Sequence, residues 1–327
     1  MRLVELSDLY RLRSAGLVDA ASFPDAVSRV RDDAFWTVWA HRALLAIGVA
    51  HVLAGIVFFF AYNWADLPPM AKFAIVEVAL VLTASGALVA GIGTLPGQAL
   101  LVAASVLVGV LLAVVGQAYQ TGADAFELFV AWTLLVLPWT LFSRSAAQWF
   151  TWLAVAYVAA WTYCVQVLIP MKWLDDGNMM LLVGALPAVA LILREAAVRL
   201  GFEWMAAIWT RYLLLFAAMG HFFVAASAYV LKFHGHDPAW SLAVFGVALA
   251  VGLWFYRLVR PDFPAFSLLV AYGGFFLMVA GGRVIFEGFD REVVAGFALM
   301  TLWCVGIAGG MGKLLLALRA GNRGSGA

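Results

Sequence analysis

Residues 99–118 read ALLVAASVLVGVLLAVVGQA, a run made almost entirely of Ala, Val, Leu and Gly. A hydrocarbon core about 30 Å thick needs about 20 helical residues at about 1.5 Å each, so this run predicts a membrane-spanning helix. The rest of the chain has the same character, because 65% of its 327 residues are apolar and only 12% are charged. A soluble domain carries about 25% charged residues. The composition therefore excludes a soluble fold and predicts an all-α, polytopic transmembrane bundle.

Similar apolar runs recur along the chain, and we count ten spans. They lie at about 43–62, 73–92, 99–118, 128–142, 147–168, 180–193, 209–231, 241–257, 265–281 and 293–311. The fourth and sixth runs are short and contain Pro138 and Pro187, so they are candidates for kinked, re-entrant or paired half-helices. A bundle of eight spans is the alternative.

The N-terminal segment is the part of the chain best suited to water. A short amphipathic helix is expected before Gly16, and a second one is expected to start at Pro24. A helical pair of this size does not bury a core of its own, so it is expected to pack on the membrane domain or on a partner. We therefore predict a cytoplasmic helical segment at 1–40, a transmembrane domain at 41–320 and a flexible cytoplasmic tail at 321–327.

Positive charge is distributed unevenly between the two ends of the predicted spans. With ten spans, fifteen of the 20 Lys and Arg fall on the side of the N-terminus. The other five are Lys72, Lys172, Lys232, Arg283 and Arg291. Cytoplasmic loops carry an excess of Lys and Arg, so both termini are predicted to be cytoplasmic.

A polar patch interrupts the apolar sequence directly after the run at 99–118. On the predicted topology it lies at the extracytoplasmic face, where the turn before Pro68 also emerges. Amides near the hydrocarbon edge usually have hydrogen-bond partners, so we predict one binding site there. Its candidate residues are Asn63, Trp64, Gln117, Tyr119, Gln120 and Asp124. For Trp64 alone, an interfacial aromatic anchor is the alternative.

These same motifs carry a resemblance to a known family. They are the Asn63-Trp64-x-x-Leu67-Pro68 turn and Gly116-Gln-x-Tyr119-Gln120, with Asp124, Leu128-Phe129, Trp132, Leu137-Pro138 and Arg144. Together with the N-terminal helical pair they resemble the bacterial predicted-membrane-protein family catalogued as domain of unknown function 2157. The resemblance covers roughly residues 5–165. It implies a multi-pass protein of the bacterial inner (plasma) membrane with a cytoplasmic N-terminal segment, and it implies no activity.

The C-terminal half of the chain resembles the N-terminal half. Arg42, His51 and Pro68 recur in order as Arg211, His221 and Pro238, and Ala99–Asp124 aligns with Ala265–Asp290. The offsets correspond to six spans, which predicts a parallel repeat of 42–142 onto 211–311. Chance alignment of apolar helices is the alternative.

Three ionisable residues are predicted to lie within the membrane: Glu77, His51 and His221. A carboxylate in a span is costly and by default suggests a function with a named partner. The candidate partner of Glu77 is His51, and neutralisation by Lys72 at the interface is the alternative. For either histidine, a structural role as a hydrogen-bonded core residue is the alternative.

Metal and cofactor signals are weak. His234, His236 and Asp237 are a weak metal candidate in an outer loop, with a solvated loop as the alternative. Cys164 and Cys304 fall inside apolar runs and show no metal-ligand spacing. We predict no cofactor and no catalytic residues, because no GxSxG, HExxH or Walker pattern is present.

Two functional classes follow. The first is binding or transport of a small solute, a lipid head group or a proton through an extracytoplasmic-side cavity. The second is a non-catalytic accessory or scaffold protein that docks a cytoplasmic partner through residues 1–35. A homo-oligomer is compatible with either class. An outer-face enzyme using Asp124 and Glu127 is a distant third. The net charge of +1 carries no information about nucleic-acid or acidic partners, and no nucleic-acid partner is predicted.

Overall fold

In the computed structural model the described residues are mainly those from Asp66 onward. They are 66–119, 122, 124–232, 238–289 and 292–324, with 9, 12–13, 17–19, 21–30, 32–33, 35–37, 39–41, 44, 47, 51 and 58 in the N-terminal part. The chain divides into two compact units, one of residues 69–312 and one of residues 1–68 with 313–327. The predicted boundaries after residues 40 and 320 stay predictions.

All regular structure among the described residues is helical. The α-helices are α1 (Phe23–Val30), α2 (Pro69–Ala90), α3 (Leu95–Tyr119), α4 (Ala125–Ser143), α5 (Ala146–Tyr163), α6 (Asp176–Arg199), α7 (Ile208–Leu231), α8 (Trp240–Trp254), α9 (Phe263–Gly288) and α10 (Val293–Gly324). One π-helical turn extends α5 through Cys164–Leu168, another extends α8 through Phe255–Val259, and a 3₁₀ turn covers Glu203–Met205. Within this described part, nine helices, α2 to α10, are long and apolar enough to span a membrane. The polytopic all-α fold is thereby confirmed, and the predicted span 43–62 lies largely outside the described residues.

The two short runs form full-length helices. α4 has 19 residues and α6 has 24, and each continues through its proline, Pro138 or Pro187. Polar residues near the helix ends, such as Glu127 and Arg194, shortened the apolar runs without ending the helices. The half-helix interpretation and the alternative of eight spans are therefore wrong.

The helices of residues 69–312 alternate in direction and define two faces. We call the face with loops 91–94, 144–145, 200–207 and 260–262 the basic face, and the face at which α3, α7 and α9 end the opposite face. Arginines concentrate at or near the basic face: Arg144, Arg194, Arg199, Arg211, Arg257 and Arg260.

Short turns hold the helices close together at the basic face. Gly91 has φ +83°, and a Cβ on Gly97 would lie 2.1 Å from the Gly91 carbonyl oxygen, so only glycine fits that approach of α2 to α3. Between α4 and α5, Arg144 takes a left-handed conformation with φ 46°. The Ser145 hydroxyl then accepts the Gln148 amide proton and caps α5.

Helix packing separates two groups within residues 69–312. α2, α3, α4 and α5 pack on one another, and α6, α7, α8 and α9 form a second group around α7. The second group has an apolar core in which Leu215, Met219 and Phe222 of α7 meet Leu269 and Tyr272 of α9. The two groups meet where α5 faces α6 and α7, and the contact of α5 with α6 is smaller than most of the contacts inside the groups. A cavity lies between α5 and α6 at this junction.

The N-terminal unit is described at few positions. α1 begins at Phe23, which confirms the helix predicted to start at Pro24. Asp19 precedes it and accepts the backbone amide of Ser22 at 2.6 Å. The hydroxyl of Ser22 also donates to this carboxylate, and the two hydrogen bonds lower the pKa of Asp19.

Candidate functional site

A cavity of about 780 Å³ lies between α5 and α6 in the half of the bundle next to the basic face. Its walls are the first part of α5, the second part of α6 and the start of α7, and the loop 200–207 closes its end. Along α6 the lining extends from Leu182 to Ala197, which corresponds to about 22 Å of helix axis. Along α6 the cavity therefore extends from near the basic face to beyond the middle of the helix.

Aromatic and aliphatic side chains line most of this cavity. Trp149 and Trp204 stack with ring centroids 6.1 Å apart, and Trp152 meets Trp149 edge-on at 5.8 Å. The Trp152 indole nitrogen donates to the Thr133 carbonyl oxygen at 3.0 Å, which fixes that ring against α4. Among the described lining residues Arg194 alone is charged.

Arg194 belongs to a buried ionic cluster centred on Glu195. One Glu195 oxygen accepts from Arg194 Nη1 at 2.6 Å and from Arg211 Nε at 2.7 Å. The other accepts from Arg260 Nη1 at 2.6 Å. Glu195 is 7% exposed at its side chain, so one buried carboxylate near the membrane end pairs with guanidinium groups from α6, α7 and the loop before α9.

Asp262 completes the cluster on its other side. Its carboxylate accepts from Arg211 Nη1 and from the Tyr212 hydroxyl, and it also caps α9 by accepting the Ala265 amide at 3.0 Å. The guanidinium of Arg211 lies 5.7 Å from the centre of the Tyr256 ring. Arg211 is thus held by both carboxylates and by an aromatic face.

The cluster as a whole is not electrically neutral. It contains three guanidinium groups, of Arg194, Arg211 and Arg260, and two carboxylates. One positive charge is therefore in excess, and it lies beside an apolar cavity.

A second polar cluster joins α3, α4 and α5 near the basic face. Gln148 is fully buried, and its amide nitrogen donates to Ser105 Oγ at 2.8 Å and to Thr140 Oγ1 at 3.0 Å. The Trp139 indole donates to the same Ser105 oxygen at 2.9 Å, and the Trp132 indole donates to the Ser105 carbonyl at 2.7 Å. The donors and acceptors of this cluster satisfy one another, which assigns it to helix packing.

Residues 10–149 match the family model described as Predicted membrane protein (DUF2157). This match confirms the resemblance found in the sequence. Neither a curated protein nor a solved structure matches the chain. The DUF2157 segment includes α2 to α4 and ends at Trp149, so it contains the Gln148 cluster and the first part of the cavity wall. α6 and the ionic cluster lie outside it.

The structure describes only half of the site predicted at the opposite face. Gln117 and Tyr119 lie in the last turn of α3 and Asp124 directly precedes α4, and all three side chains are exposed. The Tyr119 ring lies 6.1 Å from that of Phe73. Asn63, Trp64 and Gln120 lie outside the described residues, so their clustering stays a prediction.

The predicted ionisable residues have different surroundings. Glu77 is exposed on α2, and His51 belongs to the other unit, so their pairing stays a prediction. His221 is half-buried: Nδ1 lies 2.6 Å from the Ala217 carbonyl oxygen, and Nε2 lies 2.7 Å from the Tyr157 hydroxyl. A carbonyl only accepts, so in the neutral ring Nδ1 carries the proton and Nε2 accepts from Tyr157. His234, His236 and Asp237 lie outside the described residues.

Sequence reasoning missed Glu195, Arg260 and Asp262 as members of one cluster. Each lies beside the end of an apolar run, where a charged residue is normally assigned to a solvated loop. A usable signal was the presence of the acidic residues Glu195 and Asp262 at a face otherwise rich in arginine. Pairing of these carboxylates with buried arginines explains their position.

Proposed function

We propose that the protein binds an amphipathic, lipid-like molecule in the cavity between α5 and α6. The observation that carries the proposal is the cavity itself, which has about 780 Å³, an apolar lining and one charged residue, Arg194, near its end. Ligand sites are typically cavities of about 300–1,000 Å³ with mostly apolar walls and a few polar groups. The proposal keeps the ligand-binding class predicted from the sequence but assigns the ligand to the basic face.

Exposure of the α6 wall supports entry from the lipid phase. Leu182, Val189 and Leu193 line the cavity and are 53%, 52% and 62% exposed. In a membrane such side chains face hydrocarbon, so an acyl chain can enter sideways without crossing water. The small interface between the two helix groups favours such an opening.

The charge distribution supports a location for this ligand. Lys and Arg are concentrated at the basic face, which favours a cytoplasmic orientation of that face in a plasma membrane. A lipid in the cavity would then belong to the cytoplasmic leaflet.

Photo-crosslinking of the full-length protein tests the proposal. A phospholipid with a diazirine in its acyl chain is incorporated with the protein into phosphatidylcholine nanodiscs, and labelled peptides are mapped by mass spectrometry. We expect labelling of α5 and α6 lining residues that an excess of unlabelled lipid of the same type reduces. Ala190→Trp and Ala197→Trp place an indole in the cavity and should each reduce this labelling several-fold.

The matched control is Ala250→Trp on α8, since Ala250 is exposed and does not line the cavity. It should leave the labelling of α5 and α6 unchanged. Labelling spread evenly over exposed helices, and insensitive to Ala190→Trp, would contradict a specific lipid site.

A further inference from the structure

We propose that the bound molecule is anionic and that Arg194 binds its phosphate or carboxylate group. This inference rests on the proposed function, because it assigns chemistry to the ligand of the same cavity. Arg194 combines three properties that support it: a place in the cavity wall, uncommitted donors and incomplete charge compensation.

The donors of Arg194 are only partly used. Nε donates to Thr210 Oγ1 at 3.3 Å, one Nη to Glu195 and the other to the Ala207 carbonyl oxygen at 3.1 Å. A guanidinium has five N–H groups, so two have no partner among the described residues. An oxygen of a phosphate or carboxylate in the cavity can accept one or both of them.

Charge compensation within the cluster is also unequal. Arg211 pairs with two carboxylates, those of Glu195 and Asp262. Arg194 pairs with one carboxylate, that of Glu195, which also pairs with Arg211 and Arg260. The excess positive charge is therefore least compensated at Arg194 and at Arg260. Of these two, Arg194 lines the cavity.

Burial makes this excess charge significant. The Arg194 side chain is 5% exposed and lies in the membrane half next to the basic face. A buried charge that is only partly compensated is unfavourable, and an anion brought beside it forms a charge-assisted hydrogen bond in a medium of low dielectric. An anionic amphiphile therefore fits both parts of the cavity: its apolar chain contacts the apolar walls, and its anionic group contacts Arg194.

The test compares ligands that differ only in their polar group. Diazirine-labelled phosphatidic acid, diacylglycerol with the same chains, and a labelled fatty acid are each crosslinked to the full-length protein in phosphatidylcholine nanodiscs. We expect the anionic ligands to reach half-maximal labelling of the cavity at a concentration about tenfold lower than diacylglycerol requires. One charge-assisted hydrogen bond accounts for a difference of this size. Preference for phosphatidic acid over the fatty acid would assign a lipid phosphate, and the reverse a free carboxylate.

Variants connect this preference to Arg194. Arg194→Gln leaves two guanidinium groups against two carboxylates, a balanced cluster that should fold, and it should abolish the preference while labelling by diacylglycerol persists. Arg194→Lys retains the charge and should retain part of the preference. The matched control is Arg199→Gln, because Arg199 lies on the same helix, is exposed and does not line the cavity.

The outcomes separate the two proposals. Equal labelling by diacylglycerol and the anionic ligands, or an unchanged preference in Arg194→Gln, would overturn the anionic ligand while lipid binding stands. Labelling by every ligand that is insensitive to Ala190→Trp would overturn lipid binding and this inference with it.

Discussion

Glu195 connects three elements of the second helix group at the basic face. It accepts hydrogen bonds from three arginines that belong to α6, α7 and the loop before α9. Burying a carboxylate near a membrane end is unfavourable by itself, and the three guanidinium groups offset this penalty. Removing the carboxylate would leave three guanidinium groups with Asp262 as the one remaining carboxylate of the cluster.

Glu195→Gln is accordingly expected to destabilise the protein by about 3–5 kcal/mol, the range for removing one partner of a buried ion pair. The measurement is thermal unfolding in detergent, followed by the loss of the monodisperse size-exclusion peak. Glu203→Gln is the control, since Glu203 is an exposed acid in the adjacent loop 200–207. A melting temperature for Glu195→Gln equal to that of the wild type would show that the cluster is not a stabilising hub.

At the scale of helices, glycines determine how closely the spans approach. A Cβ on Gly109 of α3 would lie 2.5 Å from the Trp132 ring of α4. This close approach brings the Trp132 indole within hydrogen-bond distance of the Ser105 carbonyl oxygen. Small residues at contacts between membrane helices act in this way generally, because packing rather than hydrophobicity drives helix association in lipid.

Gly109→Ala is expected to destabilise the protein by about 1–3 kcal/mol, since the added methyl group has no room beside the ring. Gly246→Ala on α8 is the matched control, because nothing lies within 4 Å of the position that its added methyl group would take. Unfolding of the two variants is compared in the same detergent assay. If Gly109→Ala and Gly246→Ala unfold alike, α3 and α4 are not held by this contact.

At the scale of the whole molecule, the small α5–α6 interface is the main structural feature. Two helix groups, each with extensive internal packing, meet there over a limited surface that borders the cavity. The DUF2157 match ends at Trp149 in the first group, whereas the charged end of the cavity belongs to the second. The proposed ligand site therefore depends on both halves of the chain.

Orientation of the whole molecule is tested separately. From the bias of fifteen of 20 Lys and Arg, both termini are expected in the cytoplasm. Alkaline phosphatase, which is active only outside the cytoplasm, should be inactive when fused after Ala327, whereas a green fluorescent protein fusion at the same position should fluoresce. Strong phosphatase activity of that fusion would reverse the assignment of the faces.

The sequence by itself determined the membrane class, the spans and the distribution of charge between the two faces. These properties are local, since about 20 apolar residues suffice to predict a span and the loops can be counted for Lys and Arg. Even there, the ends of α4 and α6 were misjudged, because helices continue through polar residues and proline where the apolar run stops.

Only the tertiary structure decided which polar residues meet. Glu195 contacts Arg211 and Arg260, which are 16 and 65 residues away, and Gln148 contacts Ser105 across 43 residues. In a soluble protein, the apolar face of an amphipathic helix shows which side packs inward. A helix in hydrocarbon is apolar all round, so the periodicity of its sequence does not distinguish the packed face from the lipid-facing one. The cavity between α5 and α6 arises from how helices pack, and no single segment of the sequence contains it.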